Sequence, residues 1–338
     1  MNIPQNRTVW MAPNEKSKLI SSDVAIPKLK DSEVLLEVLS CGICHSDIHL
    51  IDNDWGISTY PLVPGHEIIG KVVSKGSKAS LNVGTIVGVG WQRSACLECE
   101  DCVSSSENTC DKKEATCVAH VGGYSNYHIT DSRFAFEMPS SNPALAPLLC
   151  GGATVYSPLC LFANNPKQHF ARVGIVGLGG LGNMAVKMAN KMGYEVTVFS
   201  SSKRKQQEAE KMGAHHFVSS VDENEIMSLG RKLDLVLVTA NVDLNWGAFL
   251  NVLKTDGTLC FVGIPPSSFS LNVVQLLDKR LRVAASPIAS VSQIRNMISF
   301  CDRNEIVSEI ETFKFEDVNT AVQKVRDNSA NFRAVLVK

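Results

Sequence analysis

No apolar run in this chain reaches the ~18 residues that a membrane-spanning helix needs, so no transmembrane helix is expected. Excess charge of either sign is also lacking, since 33 Lys and Arg face 34 Asp and Glu for a net charge of −1. A near-neutral chain has no positive field to gather nucleic acid or an anionic lipid surface, so neither is expected as a partner. The opening residues Met1-Asn2-Ile3-Pro4-Gln5-Asn6-Arg7 have no apolar signal core. Internal repeats and low-complexity segments are missing as well. The cysteines, 11 in number, do not make an even set. In a long chain without a secretion signal they argue against a disulfide framework and for reduced thiols, some of them metal ligands. The expected compartment is the cytoplasm.

What is present is an ordinary globular composition: 338 residues, 44% hydrophobic and 20% charged, enough for two domains or one large one with real cores. The chain is organised around the stretch Cys41-Gly42-Ile43-Cys44-His45-Ser46-Asp47-Ile48-His49, closing with Pro64-Gly65-His66-Glu67. Thiolate, imidazole and carboxylate in one short span suit a divalent metal of the zinc type. Ser46 and His49 add a hydroxyl and a titratable base, the parts of a proton-transfer route. A buried thiol with a few surface histidines is the plainer alternative. Cys41-Gly42-Ile43-Cys44 is also C-x-x-C, so Cys41 competes with Cys44 as a ligand, and a redox pair is a further option.

Val34–Leu39, Ile68–Val73 and Thr85–Val89 read as strands, with Gly76, Asn82 and Gly84 as turns. No helical periodicity of any length is found before about residue 140. An irregular, mostly antiparallel β domain is therefore expected first. Cys96, Cys99, Cys102 and Cys110, spaced x2, x2 and x7, can converge on one tetrahedral metal from a single loop. Four thiolates leave no position for substrate, so the site would be structural zinc; an iron–sulfur cluster is the alternative. Cys117 lies outside this pattern and is expected to pack or stay free.

From residue 172 the pattern changes. Arg172-Val173-Gly174-Ile175-Val176 reads as a strand ending at Gly177-Leu178-Gly179-Gly180-Leu181-Gly182, and a helix former follows from Asn183 to Ala189. Strand, G-x-G-x-x-G turn and helix are the context of the dinucleotide fingerprint, in which helix-terminal amides meet a pyrophosphate. After the next strand, Glu195–Phe199, an NAD site usually has an acidic residue for the ribose 2′-hydroxyl. Here the chain has Ser200-Ser201-Ser202-Lys203-Arg204-Lys205. Hydroxyls and three cations suit a 2′-phosphate, so NADP(H) is expected rather than NAD(H). Strands at Leu235–Thr239, Thr258–Gly263 and Leu281–Ala285 alternate with helical segments, as a doubly wound α/β sheet demands. Phe332–Val337 reads as a last strand.

Together the Cys44–His49 stretch, Gly65-His66-Glu67 and the Cys96–Cys110 loop resemble the zinc-dependent medium-chain alcohol dehydrogenases. Tyr60–Glu67, Pro147–Leu159, Asn241–Trp246 and Trp91 are similar to the cinnamyl-alcohol dehydrogenase branch, nearest its broad-range NADPH-dependent aldehyde reductases. The resemblance implies a GroES-like catalytic domain over 1–150 with a structural zinc loop at 96–110, a Rossmann coenzyme domain over 151–286, and a return to the catalytic domain over 287–338. It implies NADP(H) and two zinc ions per chain, one catalytic and one structural, in a homodimer that pairs cofactor-domain sheets.

Residue by residue, Cys44, His66 and Cys150 would hold the catalytic zinc, Glu67 would approach it transiently, and Asp47 would orient His66. Ser46 would hold the substrate oxygen and pass its proton through the cofactor ribose to His49. Thr154 would back the nicotinamide and Arg333 would meet the pyrophosphate. His45, Thr239, Val262, Gly263, Ser286 and Ile288 would also lie along the cofactor, and Trp55 and Trp91 would wall an apolar substrate pocket or else pack in the core. Under the resemblance Cys41 is a packed thiol. Two departures stand out: Pro287 removes a backbone donor near the nicotinamide, and the Cys110–Tyr124 segment is shorter than in plant lignin-pathway members. The implied reaction is reversible hydride transfer between NADP(H) and an alcohol/aldehyde pair, mainly as aldehyde reductase. A polyol dehydrogenase, whose pattern lacks a cysteine at position 150, and a non-catalytic NADP-binding redox sensor are the rival readings.

Overall fold

The computed structural model describes residues 4–163 and 171–338. Its contacts divide the chain into two units, Met1–Cys150 with Ser290–Lys338, and Gly151–Ala289. The first unit opens with β1 (Asn6–Met11), β2 (Ile20–Ala25), β3 (Glu33–Ile43), helix α1 (His45–Ile51), β4 (Glu67–Lys75), β5 (Ile86–Val89), β6 (Gln92–Ser94), α2 (Glu100–Val103), β7 (Glu114–Ala115), β8 (Tyr127–Asp131) and β9 (Ala135–Glu137). The second holds α3 (Gly151–Phe162), β10 (Arg172–Val176), α4 (Gly180–Lys191), β11 (Glu195–Ser200), α5 (Gln206–Lys211), β12 (His216–Ser219), α6 (Glu223–Ser228), β13 (Leu233–Val238), α7 (Trp246–Asn251), β14 (Leu253–Phe261), α8 (Val273–Lys279) and β15 (Arg282–Ala285). The chain then returns to the first unit through α9 (Val291–Arg303), β16 (Ile310–Lys314), α10 (Val318–Arg326) and β17 (Arg333–Val337).

In the first unit the main sheet runs β16-β17-β3-β4-β5-β9, with β8 also on β3. All of its pairings are antiparallel except β16 with β17. β3 is the spine of this sheet. Most of its 11 residues are buried, because neighbours cover both edges and core side chains cover both faces. Val34, Leu36, Val38, Cys41 and Ile43 belong to one apolar cluster with Ile68, Val72, Val87, Phe315 and Leu336. This fixes the end of β3, and with it the position of Cys44.

The second unit is a six-stranded parallel sheet in the order β12-β11-β10-β13-β14-β15. Its order reverses beside β10, and ligands of such sheets bind outside the strand ends at that switch point. β13 is buried along its whole length, as its run Leu235-Val236-Leu237-Val238 requires of a central parallel strand. Among the described residues no single helix is long and apolar enough to cross a membrane.

One expectation is corrected. The first 140 residues are not without helix: α1 covers seven residues and α2 covers four. Two turns or fewer leave too little sequence for an apolar period to show, and α1 is capped by Cys44 rather than by a hydroxyl residue.

Candidate active site and metal centres

α1 places the first ligand group. Cys44 is its N-cap in an extended conformation, and Asp47 at the third helical position reaches back, its Oδ2 accepting from the Cys44 N–H at 2.9 Å. This reciprocal cap sets Ser46 beside Cys44, with Oγ 3.7 Å from Sγ. β4 begins at Glu67, so His66 sits at the mouth of that strand, its Nδ1 donating to Asp47 Oδ1 at 3.0 Å. Cys150 follows a 3₁₀ stretch, Pro143–Leu149, in which the Ala144 N–H donates to the Asn142 side chain at 3.0 Å. Donor atoms of Cys44, His66, Glu67 and Cys150 all lie within 4.8 Å of one another.

This set fits zinc. Around a tetrahedral ion with Zn–S of about 2.3 Å and Zn–N of about 2.0–2.1 Å, a sulfur and a nitrogen stand about 3.5 Å apart; His66 Nε2 and Cys150 Sγ are 3.3 Å apart. The Cys150 thiol donates to Cys44 and holds it well below its ordinary pKa, while the same contact pushes Cys150 well above. A divalent cation would take both sulfurs as thiolates. Glu67 is fully buried. Burial lifts its carboxyl to about 7 against the pull of Arg333. Arg333 Nη2 donates to Glu67 Oε1, so the arginine expected at a pyrophosphate is found buried, 8% exposed, beside this carboxylate.

The second cluster is Cys96, Cys99, Cys102 and Cys110. The pairs Cys96–Cys102, Cys99–Cys110 and Cys96–Cys110 have sulfurs 3.5 to 3.8 Å apart, close to the ~3.8 Å edge of a tetrahedral zinc–tetrathiolate and far beyond the ~2.05 Å of a disulfide. An iron–sulfur core would hold the thiolates wider, with sulfide bridges between them. Backbone N–H groups of Glu98 and Cys99 draw the Cys96 thiol down to about 6, toward the thiolate a metal requires.

Beside the first cluster lies a relay of aromatic rings. The centroids of His49 and Trp55 are 5.1 Å apart, those of Trp55 and Trp91 6.1 Å, and those of Trp91 and His66 4.9 Å. Both tryptophans are half-buried and pack against the core. His49 Nδ1 is 2.7 Å from Asp54 Oδ2, an acidic partner that sequence reasoning missed. Cys41 is fully buried in β3 and burial pushes its thiol up, which leaves it unreactive. Cys117 is also fully buried, grouped with Asp47 and His66 rather than with the four-cysteine loop.

The glycine turn of the second unit joins β10 to α4. Gly177 has φ +96°, and a Cβ on Gly182 would stand 2.1 Å from the Gly177 carbonyl, so the turn closes as the fingerprint requires. A Cβ on Gly179, by contrast, would meet nothing within 4 Å among the described residues. Its lack of a side chain makes room for an approach from outside, as a pyrophosphate would need. Gly180 and Leu181 start α4. The Thr239 hydroxyl donates to the Val176 carbonyl at 2.9 Å, so it locks the strand end rather than facing outward. Lys205 Nζ donates to the Leu178 carbonyl at 2.9 Å, and Lys203 approaches Glu225 at 3.8 Å.

Arg204 is exposed and has no ion pair or hydrogen bond among the described residues. It is therefore free for an anion. Ser200 is buried at the end of β11, with Ser201 and Ser202 more open. Val262 and Gly263 follow β14, both N–H groups donating to the Val238 carbonyl, and Ser286 N–H donates to Phe261 at 3.1 Å. His45, Thr154 and Ile288 are half-buried, and burial lowers the pKa of His45.

Residues 30–140 match the alcohol dehydrogenase GroES-like domain and residues 180–303 the zinc-binding dehydrogenase domain. The aldehyde reductase AdhA of Synechocystis is 38% identical over 308 residues, spanning 90% of this chain and 91% of its own. A probable mannitol dehydrogenase of Fragaria ananassa is 38% identical over 339 residues, spanning 97% and 94%. Among solved structures, a cinnamyl alcohol dehydrogenase of Sorghum bicolor superposes with a TM-score of 0.92 at 33% identity, covering 98% of this chain and 97% of that one. The cinnamyl alcohol dehydrogenase of Helicobacter pylori, solved with NADP(H), gives 0.88 at 31% identity and covers 98% of each.

Proposed function

Because the chain belongs to the zinc-dependent medium-chain alcohol dehydrogenase family, using zinc and NADP(H), we propose that it acts mainly as a broad-range aldehyde reductase, with Cys44, His66 and Cys150 as catalytic ligands. The observation that carries this reading is the convergence of two thiols and one imidazole beside the Ser46 hydroxyl. With the Glu67 carboxylate held by Arg333, three ligands leave a fourth position open, the mark of a catalytic rather than a structural site. When bound, zinc supplies Lewis acidity toward a carbonyl oxygen and NADPH supplies hydride.

The remaining work falls to the chain. The Ser46 hydroxyl donates to the substrate oxygen. His49, held through Nδ1 by Asp54, keeps its other nitrogen for proton exchange with solvent. Asp47 fixes the His66 tautomer. The faces of Trp55 and Trp91 offer apolar area to the substrate's hydrocarbon part. In the second unit Arg204 and the Ser200–Ser202 hydroxyls take the 2′-phosphate, and Lys205 steadies the turn under the pyrophosphate.

NADPH oxidation with benzaldehyde and with a medium-chain aldehyde tests the proposal. Turnover of both at comparable kcat/KM is expected. No turnover by protein carrying two zinc ions per chain would sink it, and a hundredfold preference for one aldehyde would remove its breadth. Mannitol belongs in the same panel, since two relatives at 38% identity are named mannitol dehydrogenases. Faster mannitol oxidation than aldehyde reduction would move the chain to the polyol reading.

A homodimer in the cytoplasm completes the proposal. β15 is an edge strand of the six-stranded sheet, and the neighbouring α8 exposes Val273 at 62%, Val274 at 70% and Leu277 at 73%. An open strand edge beside an apolar helix face invites a second copy about a two-fold axis. Val274→Lys with Leu277→Lys is expected to give a monomer in sedimentation. An unchanged mass would place the interface elsewhere.

A further inference from the structure

Asp47 is 0% exposed, and its carboxylate receives four donors. Oδ1 accepts from the Gly65 N–H at 2.9 Å and from His66 Nδ1 at 3.0 Å. Oδ2 accepts from the Cys44 N–H at 2.9 Å and from the Tyr124 hydroxyl at 3.4 Å. An ionised carboxylate has about four lone-pair sites, so the tyrosine fills the last of them. Three donors come from the segments that carry Cys44 and His66. The fourth comes from a residue 77 positions beyond Asp47, in a segment that supplies no ligand to the four-atom cluster.

Tyr124 is itself held firmly. It is fully buried, its N–H donates to the Pro64 carbonyl at 3.0 Å, and its carbonyl accepts from the Trp10 N–H at 2.8 Å. Its ring lies on Gly65, where a Cβ would stand 2.6 Å from Cδ1; Gly65 has φ +99°. The turn that presents His66 is therefore packed on the ring whose hydroxyl reaches Asp47. Burial, with the nearby Asp47 charge, pushes the phenol well above its ordinary pKa, so it remains a donor.

We propose that Tyr124 is a positioning residue for the catalytic metal, its hydroxyl completing the hydrogen bonding of Asp47 and so holding the His66 ring with Nε2 toward Cys150. In a site this buried no bulk water replaces a lost donor. Removing a direct hydrogen-bond partner of a metal ligand costs about ten- to hundredfold in metal affinity. Tyr124 acts one bond further out, and the expected effect is about fivefold.

The inference rests on Cys44, His66 and Cys150 holding the catalytic zinc. The test is zinc release from the purified holoenzyme to an excess of a chelating dye, where the two sites give two phases. The variant is Tyr124→Phe, which keeps the ring, its packing on Gly65 and both backbone bonds. It is expected to release the catalytic zinc about fivefold faster, with the four-cysteine phase and the melting temperature unchanged. Combined with Asp47→Asn, it should add nothing beyond Asp47→Asn alone, because both changes break the same chain of bonds. Unchanged release from Tyr124→Phe overturns the proposal, as does equal acceleration of both phases with a lowered melting temperature, the sign of general loosening. A wild-type protein that releases a single zinc would instead defeat the underlying ligand assignment, and the inference with it.

Discussion

Cys150→Ser should leave one zinc ion per chain and lower kcat/KM for aldehyde reduction by about three orders of magnitude or more. Lewis-acid polarisation is worth several kcal/mol of transition-state stabilisation, and each ~1.4 kcal/mol is tenfold in rate. Serine is also a poor substitute in a soft ligand set. The retained ion would be the one held by Cys96, Cys99, Cys102 and Cys110, which form a separate cluster on one loop. Metal analysis and NADPH turnover on the same preparation read both consequences. Two ions retained, or activity within tenfold of wild type, would rule out the ligand assignment. Cys41→Ala is the control that separates the two thiols of the C-x-x-C stretch. Its sulfur is fully buried and lies outside both four-residue clusters, so both ions should stay.

The second large effect concerns cofactor choice. Arg204→Ala should raise the Michaelis constant for NADPH about ten- to hundredfold and leave NADH use nearly unchanged, as expected for losing charge-assisted bonds worth about 1.5–3 kcal/mol. Lys205→Ala should behave differently. Its amine holds the Leu178 carbonyl inside the glycine turn, so its loss should weaken both cofactors together. A double substitution at 204 and 205 would mix these outcomes, and the single variants keep them apart. If Arg204→Ala shifts both Michaelis constants equally, the guanidinium does not meet the phosphate.

The sequence-level expectations and the structure meet unevenly, for physical reasons. Long apolar runs such as Leu235–Val238 and the framed turn at Gly177–Gly182 announce a doubly wound sheet, because burial on both faces and a tight turn constrain composition directly. The four-cysteine loop is legible for a similar reason: its ligands are close in sequence. Cys150 is not legible this way. It lies 84 positions from His66, and by spacing Cys41 had an equal claim; family resemblance supplied the choice. α1 was missed because it is short and capped by a cysteine. Nothing in the sequence around Asp54 ties it to His49, and nothing in Gly122-Gly123-Tyr124 marks where the phenol points. Such partners are chosen by tertiary placement, which local pattern does not encode.

The central strand pairing of the first unit also sets an order in time. β17 pairs residues 334–337 with 40–43, and Arg333 meets Glu67 across 266 positions. On a ribosome adding ~5–20 residues per second, β17 follows the end of the coenzyme unit by ~2–10 s. During that interval the coenzyme unit and the four-cysteine loop have all their residues, while the edge of β3 at Ser40–Ile43 stands unpaired and Glu67 lacks its guanidinium. An unpaired edge is where another chain can add. The nascent chain is most vulnerable to aggregation in this window, and a truncation that stops short of β17 would prolong it indefinitely.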